Sequence, residues 1–185
     1  MREADGPPCP VCATPNQPGR MFCRRCAAAL DVPDPVAPLP WWRTRWPFHR
    51  RVEVTASTEV PGHPAGNAID GFNNRYGGAP AVGDSLTFTF RTPVRLVDLD
   101  ITSGASTDPQ VYRSEARPIT LDLVTITSKG QKAHKAIALD DKPDPQTIQM
   151  GISDVATVQL IIRSTAGMSP GRHIALAEIE FFKRS

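Results

Sequence analysis

Four cysteines carry the most specific chemistry in this chain. Cys9 and Cys12 enclose two residues, Cys23 and Cys26 enclose two more, and ten residues separate the pairs. Thiolates three positions apart reach one metal from a tight turn, and a second such pair completes the tetrahedral S₄ shell that suits Zn²⁺. Two alternatives stand beside this: a pair of disulfides, or a redox dithiol, which needs a single CxxC set in a βαβ pattern. No cysteine follows Cys26, so the four serve something local. With four thiolate ligands no position is open to water or substrate, so the expected zinc is structural, and about 25 residues could hardly fold without it.

A second candidate is a pair of carboxylates. Residues 64–71, Pro-Ala-Gly-Asn-Ala-Ile-Asp-Gly, mix turn formers with small apolar residues and read as a compact loop. In the last apolar run Ile174 and Leu176 share one parity while Ile179 and Phe181 share the other, so Glu178 falls where the first half of the strand points inward. A bulge near Ala177 that turns Glu178 outward is the alternative. Brought beside Asp70, Glu178 would form an oxygen-lined cation site of the sort Ca²⁺ prefers, since two close carboxylates do not both stay ionised without a positive partner. Arg75 is this sequence's own candidate for that partner, a guanidinium able to bridge carboxylates without metal.

Ligand candidates are Tyr112 and Arg113, in the loop 103–117, and Arg172 and His173 before the last strand. They offer the ring and forked donors that sugar hydroxyls need, although loops carry such residues in any case. His49, His63, His134 and His173 are scattered, with no nucleophile placed beside any of them. Asp140, Asp141 and Asp144 lie in a turn containing Lys and Pro and read as solvated charge. No nucleophile elbow, P-loop, dinucleotide fingerprint or HExxH helix is present, so no enzyme is expected.

The elements that must position these groups are strands. Residues 52–58, 85–91, 94–103, 119–128, 134–139, 146–151, 155–164 and 173–182 read as strands by their apolar content and turn signals. Leu86, Phe88 and Phe90 share one face, as do Val158, Leu160 and Ile162. With 19 prolines, 13 glycines and little 3.6-residue periodicity, the expected fold is all-β, an eight-stranded jelly-roll sandwich behind a small zinc ribbon. The expected units are a ribbon at 1–31, a linker at 32–51 and a sandwich at 52–185.

The linker alternates Pro33, Pro35, Pro38 and Pro40 with other residues, which favours an extended spacer. It then runs into Trp41, Trp42 and Trp46 interleaved with arginines, a composition suited to a membrane interface, to packing on the body or to nucleic-acid stacking. The net charge of +2 divides unevenly: residues 1–51 hold 8 Lys and Arg against 4 Asp and Glu, and the remainder 13 against 15. That body is too acidic for a nucleic-acid clamp. No run of 18 apolar residues and no apolar signal core occurs, so a cytoplasmic or membrane-associated location is expected.

Two resemblances sharpen these readings. Cys9, Pro10, Cys12, Asn16, Gly19, Phe22, Cys23, Cys26 and Leu30 match the short bacterial zinc-ribbon family, with Ala13 and Ala27 in place of its two glycines. If those positions are left-handed, each Ala costs about 1–2 kcal/mol, small against the roughly 10–16 kcal/mol of zinc binding. Thr55-Ala56-Ser57, residues 67–71, Arg117-Pro118 leading to Leu121, and residues 174–181 resemble the discoidin, or galactose-binding-like, superfamily, and within it the NADase-type glycan-binding domain. This resemblance covers residues 52–182. It implies an eight-stranded jelly roll with ligand loops at one end, no NADase activity, and in many relatives a calcium held by residues like Asp70 and Glu178. Arg75 stands where relatives have Thr, which disfavours a nearby cation, and Gly77 where they have Trp, which removes a large packing group. Relatives with this ribbon and connector tend to have a membrane-spanning helix before the sandwich, whereas here Arg51 runs straight into Val52.

The expected function is a non-enzymatic adaptor: a zinc ribbon that meets a protein partner, tethered to a module that binds a glycan or another surface ligand. The alternative is a ribbon that binds nucleic acid or protein, with the sandwich as an interaction platform.

Overall fold

The computed structural model describes residues 52–184, together with Thr14, Arg25, Cys26, Asp34 and Pro35. Cys9, Cys12 and Cys23, the three tryptophans and most of the expected linker lie outside the described residues. Cys26 is exposed, in a turn with Arg25.

Among the described residues there are eight strands: β1 (Asp34–Pro35), β2 (Val52–Ala56), β3 (Gly77–Ala79), β4 (Ser85–Ser103), β5 (Arg117–Thr127), β6 (Lys132–Ala138), β7 (Gln146–Ala166) and β8 (Ile174–Arg184). A 3₁₀ turn at Ala65–Ile69 and a four-residue helix, α1 (Pro109–Tyr112), complete the regular structure. No helix among the described residues is long and apolar enough to cross a membrane.

The two long strands each serve both layers of a sandwich. The first half of β4 lies between β2 and the second half of β7, which also pairs with β5. The second half of β4 instead lies between β8 and the first half of β7. Register shifts between Thr89 and Asp98 mark the change, as expected where a bulge bends a strand from one layer to another. The two runs at 85–91 and 94–103 are therefore one strand, and so are 146–151 and 155–164. In β7 the bend carries Gly151 and Asp154 at φ 65° and 62°.

The core lies between the layers. Leu86, Phe88, Phe90, Val158, Leu160 and Ile162 are all buried, as their alternation predicts. Phe181 of β8 meets Phe88 and Phe90 edge-on, with centroids 5.0 and 5.2 Å apart. That edge-to-face contact joins the two sheets and adds to the area that the rings bury.

The loop at 64–71 packs inward through Ala65 and Ala68, both buried. Gly77 opens β3 against it, and a Cβ built there would lie 3.0 Å from the Ala68 Cβ. The close approach leaves no room for the large ring that the discoidin resemblance implies at this position.

Candidate functional site

Three connections meet at one end of the sandwich: residues 60–70, the segment 71–76 and the stretch 104–116. They enclose a cleft of about 600 Å³ lined by His63, Asn67, Asn74, Arg75, Tyr76 and Glu115, among others. The Tyr76 and His63 rings lie nearly parallel, with centroids 3.9 Å apart and 11° between planes, and Tyr76 Oη approaches His63 Nε2 to 3.0 Å. Hydrogen bonds to backbone carbonyls hold the walls: the Asn67 side-chain Nδ2 donates to the Tyr76 carbonyl at 3.2 Å, and Gly78 N–H donates to the His63 carbonyl at 3.0 Å. Burial, reinforced by the Glu115 carboxylate, pushes the Tyr76 phenol up to about 12. The phenol is therefore a neutral hydroxyl at any physiological pH.

Glu115 is fixed from behind. Its Oε2 accepts from His173 N–H at 2.6 Å, and its carbonyl accepts from Arg117 Nη1 at 3.0 Å. Arg117 is only 5% exposed and forks onto Asp141, Nε to Oδ1 at 2.6 Å and Nη2 to Oδ2 at 3.1 Å. This bond holds the Asp141 carboxyl below the usual range and raises the Arg117 guanidinium. The reading of Asp141 as solvated charge is thus corrected. Asp140, paired with Lys142 at 3.2 Å and well exposed, fits it.

The four ligand candidates separate. Tyr112 does not offer a free ring: it is 2% exposed, its hydroxyl donates to Asp141 Oδ1 at 2.9 Å and meets Ser103 Oγ at 3.2 Å, and the Arg117 guanidinium lies 5.3 Å from its ring centroid. Its role is to pin the 104–116 stretch, through α1, to the body. Arg113 is exposed outside the cleft lining. Arg172 turns its Nη1 to the Gly167 carbonyl at 3.2 Å. His173 alone comes near the cleft, its ring 6.3 Å from that of His63. The cleft instead gathers His63, Asn74, Tyr76 and Glu115, which come from separate loops with no shared motif for a sequence reading to find. Arg75, which the sequence offers as a partner for carboxylates, also lines the cleft.

Asp70 and Glu178 do come together, with a bulge between them and the rest of β8. Thr102 pairs with Glu178 while Ser103 pairs with Leu176, so Ala177 is the extra residue. The bulge is present, yet it does not turn Glu178 outward: Glu178 is 7% exposed. Its Oε2 accepts from Gly71 N–H at 3.1 Å, and its Oε1 has no partner. Burial first, then the Asp70 charge, pushes this carboxyl up to about 8. Asp70 turns elsewhere: Oδ1 accepts from Phe72 N–H at 2.8 Å, and Oδ2 lies 3.9 Å from Arg75 Nη1. Arg75 therefore touches one carboxylate and does not bridge both.

This donor set does not fit the calcium shell implied by the discoidin resemblance. Ca²⁺ takes six to eight oxygens, whereas the loop presents an N–H to Glu178, and Asp70 is engaged by another N–H and a guanidinium. No three Asp, Glu, His or Cys side chains converge on one point among the described residues.

No family model matches this chain, and no curated protein does. Solved structures do. A family 32 carbohydrate-binding module from a family 31 glycoside hydrolase of Clostridium perfringens has a TM-score of 0.61 at 15% identity, over 72% of this chain and 92% of that one. The F5/8 type C domain of a Bacteroides fragilis protein gives 0.59 at 16%, over 72% and 92%. The family 32 module of C. perfringens NanJ, solved with galactose, gives 0.55 at 17%, over 72% and 94%. Residues 52–184 thus have the all-β sandwich fold of discoidin-like, F5/8 type C domains.

Proposed function

We propose that this chain is a non-enzymatic carbohydrate-binding protein whose sugar occupies the cleft between His63, Tyr76 and Glu115. The observation that carries this reading is the convergence of ring and polar groups on one concave surface. Sugars present an apolar C–H face and a belt of hydroxyls, so a site for them needs aromatic surface beside donors and acceptors in fixed positions. Tyr76 and His63 supply the rings, Asn74 and Arg75 the donors, and Glu115, held by His173 N–H and Arg117, an acceptor. The galactose-bound module with the same fold supports the reading.

In the same proposal the four N-terminal cysteines hold one structural zinc, and the ribbon they form meets a protein partner. Trp41, Trp42 and Trp46 give the connector an affinity for a membrane surface. The test is a glycan array probed with the full chain and with Tyr76→Ala and Glu115→Gln. Retention on a defined glycan, lost in both variants while their melting temperatures hold, is expected. No retention on any glycan would sink the proposal.

A further inference from the structure

The two ends of the sandwich carry opposite charge. β4 and β7 bend together, with Val94 opposite Val155 and Leu96 opposite Ile152. Their outer ends return to the cleft: Ser103 meets the Tyr112 hydroxyl, and Ala166 pairs with Arg117, whose guanidinium holds Asp141. The bends therefore lie at the end away from the cleft. The β5–β6 turn joins them there, Ser128 N–H and Oγ donating to the Asp154 carbonyl and carboxylate at 3.0 and 2.6 Å. The start of β2 and the end of β8 lie there too, since Val52 pairs with Phe90 and Lys183 with Leu96.

This far end is basic. Residues 91–95, 128–132, 151–154 and 183–184 hold Arg91, Arg95, Lys129, Lys132, Lys183 and Arg184 against one acid, Asp154, with Glu53 and Asp34 at the margin. Arg91, Arg95, Lys129 and Lys132 are exposed. The register sets Arg95 directly opposite Arg184, a placement of like charges that destabilises the strand pair. Among the described residues no carboxylate pairs with Arg95, Lys129 or Lys132. The connections at the cleft end, 57–76, 80–84, 104–116, 139–145 and 167–173, instead hold eight Asp and Glu against four Lys and Arg.

Distance keeps the two fields apart. Leu176 pairs with Gly77 and Ser103 beside the cleft, and the seven steps along β8 from there to Lys183 span about 23 Å at roughly 3.3 Å per residue. Salt screens charge over about 8 Å at physiological ionic strength. An anion at the far end is thus attracted by its six basic residues and hardly repelled by the cleft-end acids.

What joins the domain at this end selects the anion. Val52 opens β2 here, and the sequence that leads into it, 41–51, holds Trp41, Trp42 and Trp46 with four arginines. Trp favours the headgroup layer of a bilayer, and Lys and Arg beside it favour anionic lipid. A membrane is planar and meets the end alone, whereas a nucleic acid running along the domain would be carried against the acidic connections.

We propose that the far end of the sandwich, centred on Arg95, Lys129 and Lys132, docks on an anionic phospholipid surface and holds the cleft facing away from it. The docking is independent of what the cleft binds, and it adds to the affinity of the connector.

The experiment is co-sedimentation of the full chain with vesicles of equal parts phosphatidylcholine and phosphatidylserine, and with vesicles of phosphatidylcholine alone. Binding to the anionic vesicles that is weakened by added salt, and is absent on phosphatidylcholine, is the expected result. The triple variant Arg95→Gln, Lys129→Gln, Lys132→Gln should weaken it about fivefold for each charge removed, the equivalent of roughly 1 kcal/mol per basic residue at an anionic surface, with its melting temperature held. Arg113→Gln with Lys142→Gln, at the cleft end, should bind as the wild type does. Unchanged binding by the triple variant would overturn the proposal and leave the connector alone as the membrane contact. Equal losses per charge at the two ends would overturn it as well, since they would mark a general charge effect. A DNA duplex that binds at the same salt and displaces the vesicles would replace the membrane with nucleic acid, and no binding to anionic vesicles would end the proposal whatever the glycan array returns.

Discussion

Glu178 Oε2 accepts a hydrogen bond from Gly71 N–H across 107 positions of sequence. The bond ties the closing strand to the loop after the 3₁₀ turn, and it does so with a carboxyl whose affinity for protons is raised by burial and by Asp70 to about 8. A carboxyl raised in this way favours the folded state when protonated. Its contribution is full below its ordinary value near 4.5 and is lost as pH rises through about 8. The wild-type protein should therefore lose melting temperature relative to Glu178→Gln between pH 5 and pH 9. A shift of about 1 kcal/mol corresponds to roughly 3–5 °C for a domain this size. Parallel curves for the two proteins across that range would contradict the assignment.

Arg117 and Asp141 behave in the opposite sense. Asp141 is held below its ordinary value chiefly by the guanidinium, so its contribution is present above that value and is lost as pH falls through the lowered one. Removing one partner of a fully buried pair costs about 3–5 kcal/mol; the Asp141 side chain left behind by Arg117→Met is 36% exposed and screened by water, so the cost falls below that range. Because Arg117 also holds the Glu115 carbonyl, the variant should weaken glycan retention as well as lower the urea midpoint. Tyr112→Phe removes only a hydroxyl, at about 1 kcal/mol, and should leave retention intact.

Much of the fold is legible in the sequence because one face of each strand is buried. Leu86, Phe88 and Phe90 alternate with polar residues and all three are inside. The continuity of β4 and β7 is not legible, since Pro93 and Gly151 read as breaks, whereas the chain passes both as bends within one strand. β3 is invisible in advance because Gly77, Gly78 and Ala79 carry no side-chain pattern. Glu178 could be found, since a parity flip is a property of neighbours in sequence. His63, Tyr76 and Glu115 could not, since only the tertiary fold brings them together. Tyr112 misleads because a polar ring in a loop looks available, and nothing local reveals that Arg117 and Asp141 enclose it.

The zinc proposal makes its own prediction. Protein purified under reducing conditions should contain one zinc per chain by elemental analysis, and Cys26→Ser should lower that content. A chelator should abolish one thermal transition and leave that of the sandwich in place, because a site that folds only with metal unfolds without it. Zinc-free protein of normal stability would refute the ribbon.

Gly104 is where a single methyl group should be felt most. Its φ of 82° is left-handed, and a Cβ built there would lie 2.4 Å from Tyr112 Cδ2 and 2.9 Å from the Tyr112 carbonyl oxygen. The left-handed backbone costs a residue with a side chain about 1–2 kcal/mol, and overpacking a filled core adds about 1–3 kcal/mol. The Tyr112 ring cannot swing away without giving up its bonds to Ser103 and Asp141. Gly104→Ala should therefore lower stability by about 2–5 kcal/mol on these two counts, read as a shift in urea midpoint at unchanged slope. Gly130→Ala is the control: its φ of 78° is similar, but its Cβ would meet nothing within 4 Å, so only the backbone part of the cost remains. Equal losses in the two variants would show that the contact with Tyr112 contributes nothing.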